Sequence, residues 1–137
     1  DTVNLASRLE GLTKFYRSKI LISQSTFEFI DSDSSLEFRE LDLVRVKGKE
    51  EPITIYEVCN SDPEPIREQK IGSREKFAEA LKKYREQKWA PAITKFKSCL
   101  KDCPEDGAAE LYLERCKIFK NTPPPKDWKG EQVFTQK

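Results

Sequence analysis

The stretch RELDLVRVKGKEEPITIYEV, residues 39–58, indicates the fold class more clearly than any other part of the chain. Its first half alternates loosely between apolar and polar side chains, and KGKEEP has the charges and the proline of a turn. ITIYEV is rich in the β-branched and aromatic residues that strands favour. The pattern predicts an irregular strand over residues 36–46 and a returning strand over 53–58, and therefore a β-hairpin.

Three further elements are predicted before the hairpin. Apolar side chains recur every three or four residues over positions 2–16, which predicts an amphipathic helix. They are Leu5, Leu9, Leu12 and Tyr16. The apolar run ILIS at 20–23 predicts a strand, and a hydroxyl cap at Ser25 followed by a glutamate predicts a short helix to about Ile30. The order helix, strand, helix, hairpin indicates an α+β segment over residues 1–59.

The composition changes after the hairpin. Residues 60–73 combine prolines, charges and a glycine, and they are interpreted as a linker. Amphipathic patterns within residues 74–121 predict a small all-α segment. The three predicted helices lie at about 74–87, 90–102 and 107–120. The tail 122–137 contains consecutive prolines, so we expect it to pack in extended form on the helices, with Trp128 as its anchor.

The composition excludes several classes of function. Lys and Arg number 25 against 24 Asp and Glu, and the net charge of +1 indicates no basic surface for nucleic acid. No apolar run approaches the roughly 20 residues that span a membrane, so we expect no membrane contact within this chain. The sequence has no histidine, the commonest general base. It also has no methionine, and we expect a fragment whose missing part lies at least partly before Asp1.

The cysteines show no metal or disulfide signature. None forms a CxxC pair, and their spacing matches no common zinc framework. Cys99 and Cys103 lie one helical turn apart on an apolar face, so buried, reduced thiols are expected. The other two are Cys59 and Cys116. This use of cysteine predicts a cytoplasmic protein without a metal site in this chain.

Asn4 and Arg8 form the candidate binding pair. Side chains at positions i and i+4 project from the same side of a helix. There an amide can orient a sugar, and a guanidinium can receive the charge of a phosphate. A solvated helix face without a ligand is the alternative that the spacing alone leaves open.

Two blocks of the sequence resemble class III nucleotidyl cyclases. DTVNLASRLEG resembles the family segment in which an Asn-x-x-x-Arg pair follows a short turn, and RELDLVRVKGKEEPITIYEV resembles the family's closing hairpin. The blocks occur in the family's order and separation, over residues 1–58. The resemblance implies the C-terminal portion of a ferredoxin-like domain that works as a homodimer, with active sites shared across the interface.

The resemblance also implies a role for three side chains. Asn4 would orient the ribose of ATP (or GTP), and Arg8 would stabilise the charge that develops on the α-phosphate during cyclisation. Lys47, in the hairpin turn, would bind the terminal phosphates that leave as pyrophosphate. For Lys47 a solvated turn lysine is the alternative.

The resemblance places the family's two metal-binding aspartates before Asp1, together with the residues that distinguish adenine from guanine. The full-length enzyme is therefore expected to use Mg²⁺ or Mn²⁺. The chain alone is expected to bind no metal and to be inactive.

The helical segment is similar to a tetratricopeptide repeat. Residues 80–104 read AxxxYxxxxWxxAIxxFxxCLxxxP, although Lys76 and Glu79 stand where the repeat prefers large apolar side chains. The similarity implies a groove for a peptide or protein partner, and a plain three-helix appendage is the alternative. The ending PPPKDW resembles the C-terminal extension of membrane-anchored bacterial cyclases, except that Lys129 replaces an acidic residue.

Two functions stay open at this point. One is a piece of an adenylate cyclase that converts ATP to cyclic AMP and pyrophosphate in intracellular signalling. The other is a tetratricopeptide-like interaction module without catalytic activity.

Overall fold

The computed structural model of the protein describes the backbone of residues 2–30, 35–46 and 51–134. Side chains are described for residues 8–30, 35–45 and 51–133. Within these residues the α-helices are α1 (Thr2–Tyr16), α2 (Gln24–Phe29), α3 (Ile66–Gly72), α4 (Arg74–Arg85), α5 (Trp89–Asp102) and α6 (Gly107–Asn121). The strands are β1 (Leu21–Ser23), β2 (Phe38–Val46), β3 (Ile53–Val58) and β4 (Gln132–Phe134), and Cys59–Ser61 forms a 3₁₀ turn.

The chain divides into two compact units. The first, here called the sheet unit, contains the chain up to Asp62 and the end of the chain from Glu131. The second, the helical unit, is Pro63–Gly130. The expected mixture of helices and strands in an α+β chain is confirmed. None of the helices in the described ranges combines the length and the apolar character needed to cross a bilayer.

The strands of the sheet unit form one sheet in the order β1-β3-β2-β4. β3 pairs antiparallel with β1 on one side and with β2 on the other, which confirms the predicted hairpin. β4 pairs parallel with β2, and Val44 lies opposite Gln132. The prediction that the whole tail 122–137 packs on the helices is therefore wrong for β4, which belongs to the sheet. The sequence VF within QVFTQK suits a strand, but only the free edge of β2 decides that it becomes one.

β2 contains a bulge, which explains its loose alternation in the sequence. The register shifts between Glu40 and Asp42, so that Leu41 has no partner on β3. In a regular strand, consecutive side chains point to opposite faces. Leu41 and Asp42 are nevertheless both fully buried, because the extra residue re-aims the side chains that follow it.

α1 contributes the apolar face that its sequence predicts. Leu9, Leu12 and Tyr16 are buried, and Tyr16 is completely inaccessible. The side chain of Leu5 lies outside the described residues. α2 begins directly after β1 and is capped by Ser23, whose hydroxyl accepts a hydrogen bond from the amide of Thr26. The predicted cap at Ser25 is wrong, because the helix already starts at Gln24.

α2 packs against β3 and β2 through aromatic rings. Phe27 stacks on Tyr56 at 4.1 Å between ring centroids and meets the edge of Phe38 at 5.2 Å. Tyr56 is adjacent to Ile55 and Glu57 on β3, so its ring lies on the face of the sheet opposite to theirs.

The helical unit has a core of interlocking rings. Phe96 of α5 stacks on Tyr112 of α6 at 5.0 Å, and Phe77 of α4 meets both rings edge-on. The predicted apolar faces are confirmed for α4 and in part for α5 and α6. The buried apolar side chains are Phe77, Ala80, Leu81, Tyr84, Ala92, Phe96, Cys99, Cys103, Ala108, Ala109, Tyr112, Leu113 and Cys116.

Residues 60–73 differ from the predicted linker. Their second half is α3, whose last-turn Lys70 is buried. Pro65 sits immediately before the first helical residue, where a proline does not interrupt the hydrogen-bond ladder. Glu64 accepts a hydrogen bond from the amide of Glu68 at 3.0 Å and satisfies one of the free amides of the first turn. The prolines therefore start a helix here and do not mark an unstructured connection.

The segment 122–130 packs on the helices of its own unit. The ring of Trp128 lies 5.3 Å from those of Tyr84 and Phe119, so it has the packing role expected of it. Gln87 donates a hydrogen bond to the carbonyl of Pro125 at 2.9 Å. Gly130 has φ +100° and contacts the side chain of Arg85 so closely that a Cβ would collide with it.

Candidate functional site

The structure places both members of the candidate binding pair on α1. Asn4 and Arg8 lie one turn apart on this continuous helix, and Arg8 is half-buried. The side chain of Asn4 lies outside the described residues, as do Asp1 and Lys47. The relation of the Asn4 amide to the Arg8 guanidinium and to the Lys47 ammonium therefore stays a prediction.

Lys47 follows directly after β2 in the sequence. This strand ends at Val46, the residue directly before Lys47, and β3 begins at Ile53. The hairpin turn predicted from KGKEEP thus falls between two observed strands. The position of β2 consequently determines where the chain enters that turn.

A buried hydrogen bond joins α1 to β2. The hydroxyl of Tyr16, the last residue of α1, donates to a carboxylate oxygen of Asp42 (Oδ2) at 2.6 Å. Both residues are completely inaccessible to solvent. The other carboxylate oxygen, Oδ1, accepts a hydrogen bond from the amide of Leu43 at 2.8 Å. A buried carboxylate requires such partners, because leaving a buried charge unpaired costs about 3–5 kcal/mol.

A buried ion pair crosses the sheet beside this bond. Arg39 and Glu57 lie opposite each other on β2 and β3. Arg39 donates from Nε at 2.9 Å and from Nη2 at 2.5 Å to Glu57 Oε1, and both side chains are 1% exposed. Such a pair is directional, and it sets the register of the two strands that lead to the turn with Lys47.

Both polar contacts were missed in reading the sequence. The apolar spacing predicts that Tyr16 lies on the apolar face of α1, which its ring occupies, but it gives no partner for the hydroxyl. A signal was present in β2, where the charged residues Arg39 and Asp42 stand in a strand whose described part also contains four fully or partly buried apolar residues. Charges at such positions indicate a partner within the fold.

A groove with charged walls lies in the helical unit. Its volume is about 440 Å³, and it lies between α4 and α5. The lining residues are Gly72, Glu75, Lys76, Glu79, Thr94, Lys95 and Ser98. Lys95 forms an ion pair with Glu79 at 2.8 Å, and Lys76 forms one with Asp102 at 2.6 Å. The charges of the groove walls are therefore largely balanced by neighbouring side chains.

All four cysteine side chains are buried, as predicted, and none is part of a disulfide. Burial raises the pKa of the Cys116 thiol from 9.0 to about 12. A thiol with so high a pKa is neutral at physiological pH and is a poor nucleophile and metal ligand. Across the described ranges, no group of three or more His, Cys, Asp or Glu side chains is arranged to hold a metal ion.

Three proteins named adenylate cyclase are similar to the chain. The "Adenylate cyclase, terminal-differentiation specific" of Dictyostelium discoideum is 37% identical over 117 residues, which is 85% of this chain and 6% of that protein. The "Adenylate cyclase" of Anabaena cylindrica is 51% identical over 59 residues, 42% of this chain and 12% of its own length. "Adenylate cyclase 1" of Rhizobium meliloti (strain 1021) is 40% identical over 58 residues, 42% of this chain and 8% of its own length.

Neither a family model nor a solved structure matches the chain. The chain spans 6 to 12% of the lengths of these three relatives. The match to the Dictyostelium protein is longer than either unit of the fold, so it includes residues of both. The chain is therefore related to a short stretch of proteins named adenylate cyclase, and in one of them the relationship extends into the helical unit.

Proposed function

We propose that the chain is the C-terminal part of a class III adenylate cyclase catalytic domain, followed by a helical extension. The whole protein would convert ATP to cyclic AMP and pyrophosphate in intracellular signalling. The similarity to proteins named adenylate cyclase, at 37 to 51% identity, carries this proposal. The helix-strand-helix-hairpin order of the sheet unit is compatible with a portion of a ferredoxin-like domain.

In this function the chain supplies the ribose and phosphate side of the active site. Asn4 orients the ribose so that its 3′-hydroxyl faces the α-phosphate, which lowers the entropic part of the barrier. Arg8 stabilises the negative charge that develops on the α-phosphate. Lys47 binds the terminal phosphates. The support from the structure is that Asn4 and Arg8 share a helix at i,i+4 spacing and that Lys47 directly follows β2.

The remaining parts of the site come from outside this chain. The described residues offer no cluster that fits a divalent metal, so Mg²⁺ or Mn²⁺ would be held by other parts of the full-length protein. The complete site would be shared between two copies of the domain. We place the domain in the cytoplasm, as part of a membrane-anchored bacterial protein, and we expect the chain alone to be inactive.

The central test is replacement of Arg8 in the full-length protein. Removing one donor that stabilises charge in a transition state lowers turnover by about 10²–10³. We expect Arg8→Ala to lower the rate of cyclic AMP formation by this factor, measured with ATP and either metal. Lys14→Ala is the matched control, because Lys14 is an exposed cation on the same helix. Equal rates for Arg8→Ala and Lys14→Ala would reject the proposed function.

The second candidate function is binding of a peptide or protein by the helical unit, as a tetratricopeptide-like module. The groove between α4 and α5 favours it. A bulky substitution in the groove wall, Ser98→Arg, is expected to abolish co-purification of a partner with the full-length protein. Lys101→Ala, an exposed position of the same helix outside the groove lining, is the control. If Ser98→Arg keeps full cyclase activity and still co-purifies with the same partners as the wild type, this function has no support.

A further inference from the structure

We propose that Tyr16 and Asp42 are positioning residues that hold α1, and with it Arg8, in a fixed orientation on strand β2. This inference rests on the proposed function, in which Arg8 and Lys47 must act on one nucleotide. It assigns the alignment of Arg8 with strand β2, the strand that leads to Lys47, to a buried hydrogen bond between α1 and β2.

The first support is the nature of the contact. The Tyr16 hydroxyl and the Asp42 carboxylate meet at 2.6 Å in a site without solvent access. Hydrogen bonds to an ionised group are shorter and stronger than neutral ones, and low dielectric strengthens them further. The Leu43 amide holds the second carboxylate oxygen at 2.8 Å. The acceptor is therefore fixed to the backbone of β2, and the Tyr16 hydroxyl has one defined position to reach.

The second support is the bulge in β2. Because Leu41 is the extra residue, Asp42 pairs with Ile55 and shares the sheet face of Arg39, whose partner is Glu57. This is the face on which Tyr16 of α1 lies. Without the bulge, Asp42 would point to the opposite face, where Phe27 packs on Tyr56. A bulge that turns one carboxylate toward one hydroxyl indicates that this contact is a specified feature of the fold.

The third support is the difference between this hydrogen bond and the apolar contacts of α1. Leu9 and Leu12 are each 5% exposed and contribute apolar contacts, which are strong but not directional. The hydrogen bond of Tyr16 is directional, and it acts at the end of the helix. Arg8 lies eight residues away, about 12 Å along the helix axis at 1.5 Å per residue. A rotation or slide of α1 permitted by loss of this bond would therefore displace the Arg8 guanidinium.

The test uses Tyr16→Phe in the full-length protein, which removes one oxygen and keeps the ring. A displacement of about 1 Å at a reacting group can lower the rate by up to ~10²-fold. We expect kcat to fall about tenfold and the KM for ATP to change by less than about twofold, because the loss falls on transition-state stabilisation. Tyr56→Phe is the matched control, since it removes a hydroxyl on the opposite face of β3, and it should retain the wild-type kcat.

Two further measurements separate positioning from general stability. In an Arg8→Ala background, Tyr16→Phe should cause no additional loss of kcat, because it acts through Arg8. Amide hydrogen exchange of residues 8–16 should accelerate in Tyr16→Phe and stay unchanged in Tyr56→Phe. Asp42→Asn, which keeps an acceptor oxygen, should retain more activity than Asp42→Ala.

The outcomes distinguish this inference from the function on which it rests. Full activity of Arg8→Ala would overturn the proposed function. If Arg8→Ala is inactive but Tyr16→Phe has the wild-type kcat, or its loss adds fully to that of Arg8→Ala, the positioning role alone is overturned. Unchanged hydrogen exchange of α1 in Tyr16→Phe would overturn it as well.

Discussion

The sheet unit and the helical unit bury different kinds of side chains. In the sheet unit, an arginine, two carboxylates and a tyrosine hydroxyl are paired without solvent access. In the helical unit, the centre is a set of aromatic rings on α4, α5 and α6. The ion pairs that are seen there, such as Lys76–Asp102 and Lys95–Glu79, lie at the surface.

The two kinds of buried contact differ in how strictly they fix the geometry of a unit. Apolar contacts contribute stability in proportion to the area that they remove from water, but they specify geometry weakly. Buried polar pairs contribute less net stability and penalise every alternative arrangement, because a shifted strand would leave a charge unpaired. In the sheet unit, which carries the proposed phosphate-binding residues, directional contacts link α1 to β2 and β2 to β3.

The largest effect is expected from breaking the buried ion pair. Arg39→Leu leaves the Glu57 carboxylate buried without its cation, and removal of one partner of such a pair costs about 3–5 kcal/mol. We expect the free energy of unfolding of the sheet unit to fall by this amount. It can be measured from the hydrogen exchange of the β2 and β3 amides.

The double variant Arg39→Leu/Glu57→Leu sharpens this prediction. Replacing both partners by apolar side chains is often neutral, so the double variant should recover most of the stability. A double variant as unstable as Arg39→Leu alone would show that the ion pair is not the reason for the loss.

A smaller effect is expected in the aromatic core. Phe96→Leu retains an apolar side chain but removes the stacking with Tyr112 and the edge contact with Phe77. Two aromatic pairs contribute roughly 1–3 kcal/mol beyond their buried area. Both tryptophans, Trp89 and Trp128, lie in the helical unit, so their fluorescence during urea unfolding reports this loss. Ile118→Leu at an exposed position, 62% accessible, should leave the midpoint unchanged.

The buried thiol of Cys116 predicts a dependence on alkaline pH. Because burial raises its pKa to about 12 in the folded protein, the unfolded chain loses this proton first, near 9.0. The contribution to stability is complete below pH 9 and declines as the pH rises toward 12. Urea unfolding between pH 8 and 11 should show this decline, and Cys116→Ala should flatten it. Identical pH slopes for both proteins would contradict the assignment.

The smallest effect is expected at the surface pair of Glu79 and Lys95. The hydrogen bond from the Lys95 ammonium lowers the pKa of the Glu79 carboxyl. Lys95→Ala should therefore move the Glu79 titration, followed by NMR, up toward 4.5. A lowered pKa contributes stability above that value, which is lost as the pH falls. Because both groups are exposed, the unfolding midpoint at neutral pH should not change measurably.

Much of the fold could be predicted because it depends on local patterns. Apolar spacing located α1, α4, α5 and α6, and β-branched residues located β3. Burial of Leu9, Leu12 and Phe77 followed from the same periodicity. The i,i+4 placement of Asn4 and Arg8 required only that α1 be continuous. The contact of these residues with a nucleotide stays a prediction.

Other features could not be predicted because they depend on contacts between distant parts of the chain. β4 pairs with β2 across more than 80 residues, and no local signal in QVF names that partner. The sequence of residues 60–73 did not indicate α3, since two prolines and a glycine are typical of a linker and can equally flank a short helix. The cap of α2 is Ser23 and not the predicted Ser25, because the helix already begins at Gln24.

The amino-acid sequence alone determined the order of the elements with a clear periodicity, their apolar faces and the spacing of the candidate residues, because periodicity is encoded in neighbouring positions. Only the tertiary structure decided which face of the sheet receives Asp42, where Arg39 finds its counter-ion and which strand receives the end of the chain. These choices follow from a bulge and from pairings between residues distant in sequence. The buried pairs stabilise the fold only when both partners are removed from water together.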